Sequence, residues 1–299
     1  PIVFNTKFFY YWLWMRRPIL ISLSNGGGQP NLNQDDLKQL RIPIPNHHEQ
    51  QQIASFLDYK TAQIDALIAK KEALLEKLAE KRTALISQAV TKGLEPTVPM
   101  KDSGIEWLGE IPEHWRVMHL KRVLASSDYG ISESLSASGN YTVLRMGNLQ
   151  DGEVLMDNIK FVSEVEPFLL LKPNDILFNR TNSLDLVGKV ALFRGYEDAE
   201  VTFASYLVRF SVNELVNPEY LVLFLGREEV QKKASSMALR AIGQANLNPN
   251  RYGYLDICLP PKAEQLEILK YLTKQLQDIQ QPMEHLQSAI EKLKEYRTA

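Results

Sequence analysis

The sequence predicts an α+β protein: a mixed α/β domain plus two long helices packed as an antiparallel coiled coil. Three observations lead there. Apolar residues recur in steps of three and four over 46–92 and again over 262–299, the pattern of helix-on-helix packing. Between these tracts, short runs of β-formers are separated by turn signals. Finally, a stretch of 57 residues occurs twice at a fixed offset, so part of the architecture is duplicated.

The duplication is plainest in "GQPNLN" at 28–33 and "GQANLN" at 243–248, 215 positions apart. Without a gap, the same offset sets Leu40 on Leu255, Ile42 on Ile257, Pro45 on Pro260 and Glu49-Gln50 on Glu264-Gln265. Ile53, Leu57 and Ile64 then fall on Ile268, Leu272 and Ile279. Glu76-Lys77-Leu78 matches Glu291-Lys292-Leu293, and Arg82-Thr83-Ala84 matches Arg297-Thr298-Ala299. About 20 of the 57 positions are identical. With a three-residue gap, "NTKFFYYWL" at 5–13 also resembles "NPEYLVLFL" at 217–225. So long a period excludes a solenoid and marks a repeated domain-sized unit.

Taken in order, "FFYYWLWM" at 8–15 is the most apolar run. Arg16, Arg17 and Pro18 end it well short of the ~18–20 apolar residues a membrane span needs, so a buried helix is expected and no membrane partner. Residues 46–92 read as one helix of about 65 Å at ~1.5 Å per residue. Asn46 is its N-cap, and Glu49 lies near the positive end of its dipole. Ile53, Leu57, Ile64, Leu67, Leu74, Leu78 and Leu85 form the seam. A helix of that length needs a partner in water. The second tract supplies one through Leu269, Leu272, Leu276, Ile279, Met283, Leu286, Ile290 and Leu293, with Pro282 expected to kink or restart it. The alternative is that each helix packs on its own globular domain. Both follow a strand-like piece ending in proline, "LRIPIP" at 40–45 and "LDICLPP" at 255–261.

"TKGLEPTVPM" at 91–100 is a turn-punctuated linker. Beyond it, extended segments are expected at 141–146, 153–162, 175–180, 186–194 and 201–211, followed by a helix over 218–234. Trp107 and Trp115 are expected in the core. This is α+β and not a βαβ alternation.

A chain of 299 residues has length for about two domains, and its 44% hydrophobic and 23% charged residues are those of an ordinary soluble protein. One cysteine, Cys258, excludes a disulfide framework and fits a reducing cytoplasm. No signal peptide is read at Pro1. The net charge of −2 argues against a strongly basic nucleic-acid binder. Any DNA binding must then come from a local patch, from partners, or from both.

No catalytic constellation is found. In "CLPPK" at 258–262, Leu259 and Lys262 supply neither the polar side chain nor the ring of an adenine-methyltransferase motif, so it reads as a strand end. "SNGGGQ" at 24–29 lacks the Gly-Lys-Ser/Thr of a phosphate loop. His47-His48, His114, His119 and His285 have no metal-ligand spacing. Pairs such as Glu228-Glu229 look like solvated helix faces.

The order of "DSGIEWLGEIPEHW", "DYGIS", "LRMGNLQDGEV", "NDILFNRTNS", "LVGKVALF" and "GQANLN" carries a family resemblance. It is followed by a proline-terminated strand, "EQ..I...L" and a long helix. The whole resembles the specificity subunit of type I restriction-modification systems. "EQQQIASFLDYKTAQIDALIAKKEALLEKLAEKRTALISQAVTKGL" is similar to the central region of such subunits. The resemblance implies two target-recognition domains alternating with two helical regions, each domain reading half of a split DNA site and the paired helices spacing them. It implies no catalysis in this chain and no cofactor of its own. S-adenosylmethionine, ATP and Mg are expected on partner subunits. Partners are then double-stranded DNA, methyltransferase subunits and, through the complex, a restriction subunit.

By resemblance, 1–45 is the tail of a first recognition domain, 46–92 the central helix, 93–100 a linker, 101–261 a complete recognition domain and 262–299 the distal helix. Two alternatives stand beside it: a half-size subunit that homodimerises to read a symmetric site, and a coiled-coil scaffold without DNA binding.

Base edges are read by side chains with paired donors and acceptors. "DYGISESLSAS" at 128–138 offers Tyr129, Gly130, Ser132 and Ser134 on a loop expected to be flexible. "NRTNS" offers Asn179, Arg180, Thr181, Asn182 and Ser183 in one turn, and Arg145 and Asn148 flank another. Lys189 and Arg240 are candidates for phosphates, which fix position without reading sequence.

Overall fold

The computed structural model describes residues 4–24, 31–196, 199–241 and 243–298. The beginning of the first echo, 28–30, and nearly all of "SNGGGQ" lie outside the described residues. The chain divides into two compact units, one of residues 1–80 with 278–299 and one of residues 81–277.

In the first unit, α1 (Thr6–Met15) and α2 (Arg17–Leu23) precede the short α3 (Gln34–Lys38) and the first part of α4 (His47–Lys92). Asn5 caps α1, its side chain accepting from the amides of Lys7 and Phe8 at 3.0 Å each. Asn46 caps α4 as expected, accepting from Glu49 N at 2.9 Å. Asp58 ties α1 to α4. It pairs with Lys7 and accepts from the Tyr11 hydroxyl at 2.8 Å, and these two bonds hold its carboxyl below the usual range.

The carboxyl-terminal helix returns along α4 in the opposite sense. Lys294 meets Glu72 at 2.9 Å, and Arg297, three residues later, meets Asp65, seven residues earlier, at 3.0 Å. The two helices thus pack antiparallel. That helix runs unbroken from Lys262 to Thr298 with Pro282 inside it, so the expected restart does not occur. The proline withholds one N–H from the ladder, while Ile279 and Ile290 on either side stay buried and hold the helix in place.

"LRIPIP" is not a strand in the structure. Its counterpart in the second unit is one because a partner lies beside it there. Among the described residues of the first unit, no strand pairs with 40–45.

Among the described residues, the second unit carries sixteen strands. They are β1 (Met100–Asp102), β2 (Glu110–Pro112), β3 (Arg116–His119), β4 (Leu124–Tyr129), β5 (Tyr141–Leu144), β6 (Leu149–Gln150), β7 (Gly152–Val154) and β8 (Lys160–Val162). After these come β9 (Ile176–Asn179), β10 (Thr181–Asn182), β11 (Val190–Leu192), β12 (Val201–Phe203) and β13 (Leu207–Val212). Helices α5 (Pro218–Leu225) and α6 (Glu228–Met237) follow, then β14 (Leu239–Ala241), β15 (Gln244–Asn246), α7 (Pro249–Tyr252), β16 (Asp256–Leu259) and α8 (Lys262–Thr298).

The main sheet has the order β4-β13-β9-β11-β7-β6, and β12-β5-β8 forms a second. Smaller sheets are β10-β15-β14, β16-β3 and β1-β2. The predicted extended stretch 201–211 is two strands because the chain turns at Ala204–Tyr206, and the helix over 218–234 is likewise two, parted at Gly226-Arg227. The core joins Trp115, Phe178, Phe210, Tyr220, Phe224, Tyr252 and Ile257 with Ala89 and Val90 of α4 and Ile268 and Leu272 of α8. Trp115 is fully buried and Trp107 packs against the same core, as expected.

Both copies of the repeat use the same polar fastening. Gln50 is buried, accepting from Asn5 N at 2.8 Å and donating to Pro45 O at 2.9 Å. Gln265 is buried, accepting from Asn217 N at 2.7 Å and donating to Pro260 O at 3.0 Å. Asn5 and Asn217 are each the N-cap of the helix that follows. The echoed asparagine is also a cap in both copies: Asn33 accepts from Asp35 N at 2.6 Å, and Asn248 from Asn250 N at 2.8 Å. The six-residue echo is thus partly a helix-start signal.

Cys258 is buried on β16, and burial pushes its thiol up to about 12. Reaction with a thiol reagent at pH 8 is therefore expected to be negligible in the folded chain and complete after denaturation. Stoichiometric labelling of the native protein would contradict this burial.

Candidate nucleic-acid interface

Strand register gathers most of the candidate residues at one edge of the second unit. Tyr129, at the end of β4, pairs across to Val208, and Asn179, at the end of β9, pairs with Leu207 at the start of β13. The ends of β12 and β5 are in register at Phe203 and Leu144. Ile131 bridges to Ala204 and so ties the two sheets together at that edge.

Gly130 makes this closure feasible. A Cβ there would lie 2.3 Å from Phe203 O and 2.5 Å from Ala204 O, so only glycine admits the crossing backbone. Its role is to shape the loop, since it has no side chain to offer DNA. The loop that follows is held at two points and is not a free arm: Ser205 N donates to Ile131 O at 2.7 Å, and Ser136 exchanges backbone bonds with Phe161 at 2.9 and 3.1 Å. Ser132 and Ser134 are exposed between these ties.

Arg180 sits at the centre of the edge. Its guanidinium lies over the Tyr129 ring, 5.0 Å from the centroid, and makes long contacts of 3.4 Å to Ser205 O and to Asn246 Oδ1. Its Nε is buried without a partner. A cation stacked on an aromatic ring and loosely held in its plane keeps donors for an outside acceptor. Thr181 is buried and receives the Asn246 amide at 2.9 Å, in the Thr181–Asn246 pair of the β10-β15 ladder. Asn182 is half-buried, its side-chain oxygen accepting from Ser183 N at 2.8 Å, and Ser183 is exposed. Arg240 is exposed on β14 in the same small sheet, opposite Ala245. Lys189, half-buried, stands beside Asn179, whose amide donates to Lys189 O at 2.8 Å. The carboxylates of Glu133 and Asp185 lie on the adjoining turns.

The asparagines of the candidate set differ in what they leave free. Asn148 is buried: its oxygen accepts from Arg145 N and its nitrogen donates to Leu155 O and Asp157 O, all at 2.8 Å. Its side chain is spent on the turn it closes. Asn179 is also buried, with its Oδ1 unpaired, and it sets the β9 end more than it faces solvent. Arg145 is half-buried and donates to Asn158 O, next to the β5 end but turned toward that neighbouring turn.

Sequence reasoning missed four residues that the fold adds: Ser205, Tyr206, Gln244 and Asn246. Tyr206 and Gln244 are exposed. Gln244 and Asn246 stand inside "GQANLN", so the echo itself was a usable signal. Nothing in the sequence marks Tyr206, which arrives through the β12–β13 turn.

Polar, cationic and aromatic side chains gathered on one sheet edge offer hydrogen-bond donors and acceptors to solvent. Among the described residues, no group of three or more histidines, cysteines or carboxylates is placed to hold a metal ion, and no helix is long and apolar enough to cross a membrane. The chain belongs to the family described as the type I restriction modification DNA specificity domain, which it matches over residues 2–77 and 112–292. It is 27% identical over 256 residues to the type I restriction enzyme EcoKI specificity subunit of Escherichia coli K12, covering 83% of this chain and 53% of that protein. The StySPI specificity subunit of Salmonella potsdam is 28% identical over 255 residues, with the same coverage of 83% and 53%. The chain spans about half the length of these curated relatives. Two solved structures share the fold. A chain from a structure of the type I R-M system superposes with a TM-score of 0.74 at 15% identity, over 98% of this chain and 68% of that one. The HsdS subunit from Thermoanaerobacter tengcongensis gives 0.54 at 17%, over the same 98% and 68%.

Proposed function

We propose that this chain is a non-catalytic DNA-recognition subunit of a type I restriction-modification complex. Its mixed unit reads one half of a split site in double-stranded DNA, and its helices dock methyltransferase subunits and, through them, a restriction subunit. S-adenosylmethionine, ATP and Mg belong to those partners. The observation that carries the reading is the edge built around Arg180, in a chain whose family is named for DNA specificity. Arg180, Asn182, Ser183, Gln244 and Arg240 are its best-placed readers, with Tyr129 setting the plane of the Arg180 guanidinium. Gly130, Asn148 and Asn179 support the frame. An excess of acidic over basic residues in the chain leaves most phosphate contacts to the partners.

The test is co-expression with a cognate methyltransferase subunit in a methylation-free host, mapping N6-methyladenine. A single split motif supports the proposal. Matching halves would indicate a homodimer, and unlike halves a second recognition domain. An intact complex that methylates no defined motif would sink it in favour of a docking scaffold. Arg180→Ala is expected to weaken specific binding by ~1–3 kcal/mol, the range for loss of one base-reading arginine, with little change in thermal midpoint. Unchanged methylation would remove Arg180 from the reading face.

A further inference from the structure

With a net charge of −2, the chain needs a local patch of cations if its own surface is to meet phosphates. The second unit has such a patch beside the Arg180 edge. Lys121 and Arg122, in the turn between β3 and β4, and Arg251 of α7 are all exposed. Among the described residues, none of the three pairs with a carboxylate. The neighbouring carboxylate, Asp256, is taken up by His119 Nδ1 at 2.9 Å.

Backbone bonds bring the three together. Lys121 N donates to Gly253 O at 2.8 Å and Leu120 N to Leu255 O at 2.7 Å, which lays the β3–β4 turn on the segment after α7. Lys121 Nζ then stands over the Tyr254 ring, 3.6 Å from the centroid, with the His119 ring edge-on at 5.5 Å. Tyr254 N donates to Arg251 O at 3.1 Å, so Arg251 lies in the same turn. A lysine stacked on a ring keeps its charge and its three donors. Arg180 on Tyr129 is the same device. The two are joined by a short piece of chain: Leu247 N donates to Arg180 O at 2.8 Å, and Arg251 follows four residues later. Four Cα steps span at most about 15 Å. At ~3.4 Å of rise per nucleotide, that is about four base pairs of B-DNA.

The repeat shows that the turn itself does not demand these cations. At the offset of 215, Asn248 falls on Asn33, and both cap a helix. Leu255 falls on Leu40. Between these shared positions Arg251 falls on Asp36 and Tyr254 on Gln39, so the same capped turn forms with either charge.

We infer that Lys121, Arg122 and Arg251 grip the phosphates of duplex DNA flanking the half-site that the Arg180 edge reads. This rests on the reading of the second unit as a DNA-recognition domain. The three cations fix position and do not distinguish sequence. A duplex is favoured over an acidic protein surface because the patch continues, along one segment of chain, from the edge that holds Arg180.

The test uses the chain in complex with its methyltransferase subunit and two duplexes, one holding the mapped split motif and one scrambled. Lys121→Gln, Arg122→Gln and Arg251→Asp are combined. Affinity for both duplexes is expected to fall by about tenfold or more at ~100 mM salt, and the slope of log K against log salt to become shallower by about two to three. The methylated motif should stay the same. Lys121→Arg with Arg122→Lys and Arg251→Lys, which keep the charges, should bind nearly as the parent does. Unchanged affinity and slope in the neutralised complex overturn the inference. So does a loss confined to the motif duplex, which would mean base reading. Dissociation of the methyltransferase subunit from the neutralised chain overturns it too, because the patch would then be a protein dock. A parent complex with no motif and no duplex binding takes down the DNA-recognition reading as well, and that failure is seen before any variant is made.

Discussion

Trp115→Ala is expected to destabilise the second unit by about 3–5 kcal/mol, the range for deleting a fully buried large aromatic side chain. Trp115 is 0% exposed, and its loss leaves a cavity between β2, β3 and the start of α8. It also withdraws a hydrogen bond: Trp115 Nε1 donates to Glu264 Oε1 at 3.0 Å, while His114 Nε2 meets the other carboxylate oxygen at 2.8 Å. Trp115→Phe separates the two effects, because it keeps most of the volume and removes only the donor, at an expected cost of about 1–2 kcal/mol. Urea unfolding followed by near-ultraviolet circular dichroism measures both. A Trp115→Ala loss below about 1 kcal/mol would mean that the site collapses around the smaller residue, contrary to interior packing of this density.

Gln265→Ala is expected to cost about 3 kcal/mol or more, and its twin Gln50→Ala about 2 kcal/mol, since each strands buried backbone groups. The difference comes from the count of partners. Gln265 serves Asn217 N, Leu215 O and Pro260 O, whereas Gln50 serves Asn5 N and Pro45 O. The two losses should also appear in different places. Hydrogen exchange should quicken in α5 for Gln265→Ala and in α1 for Gln50→Ala, each at its own helix start. Equal and small losses in both would show that water replaces the glutamine without penalty, and the fastening would then be incidental.

Much of this protein was legible before any fold was known. The 3-4 alternation gave both long helices and the duplication suggested their antiparallel pairing, which Glu72–Lys294 and Asp65–Arg297 fix in register. Asn46 as a cap and Trp115 as core also followed from local chemistry. The candidate site was legible by residue type and not by role. Asn148 and Asn179 carry the right chemistry for DNA contact, yet both are buried, and Gly130 serves the loop's path, where a Cβ would not fit. Arg180 was visible as a cation in a polar turn. Its stacking on Tyr129, 51 positions away, comes only from the β4-β13-β9 ladder.

Leu40–Pro45 and Leu255–Pro260 mark the division most clearly. Their sequences echo each other and predict the same strand, but only the second is one, because β3 lies alongside it with Cys258 opposite Val117. A strand's hydrogen bonds are made to another segment, so no sequence window contains them. Helix caps draw on neighbours a few residues away and heptad seams on a local period, and these the sequence alone determined. The buried glutamines bond backbone 45 and 48 residues away and were not among them. Which edge collects Tyr129, Arg180, Tyr206 and Asn246 the tertiary structure decided, because it depends on contacts between residues far apart in the chain.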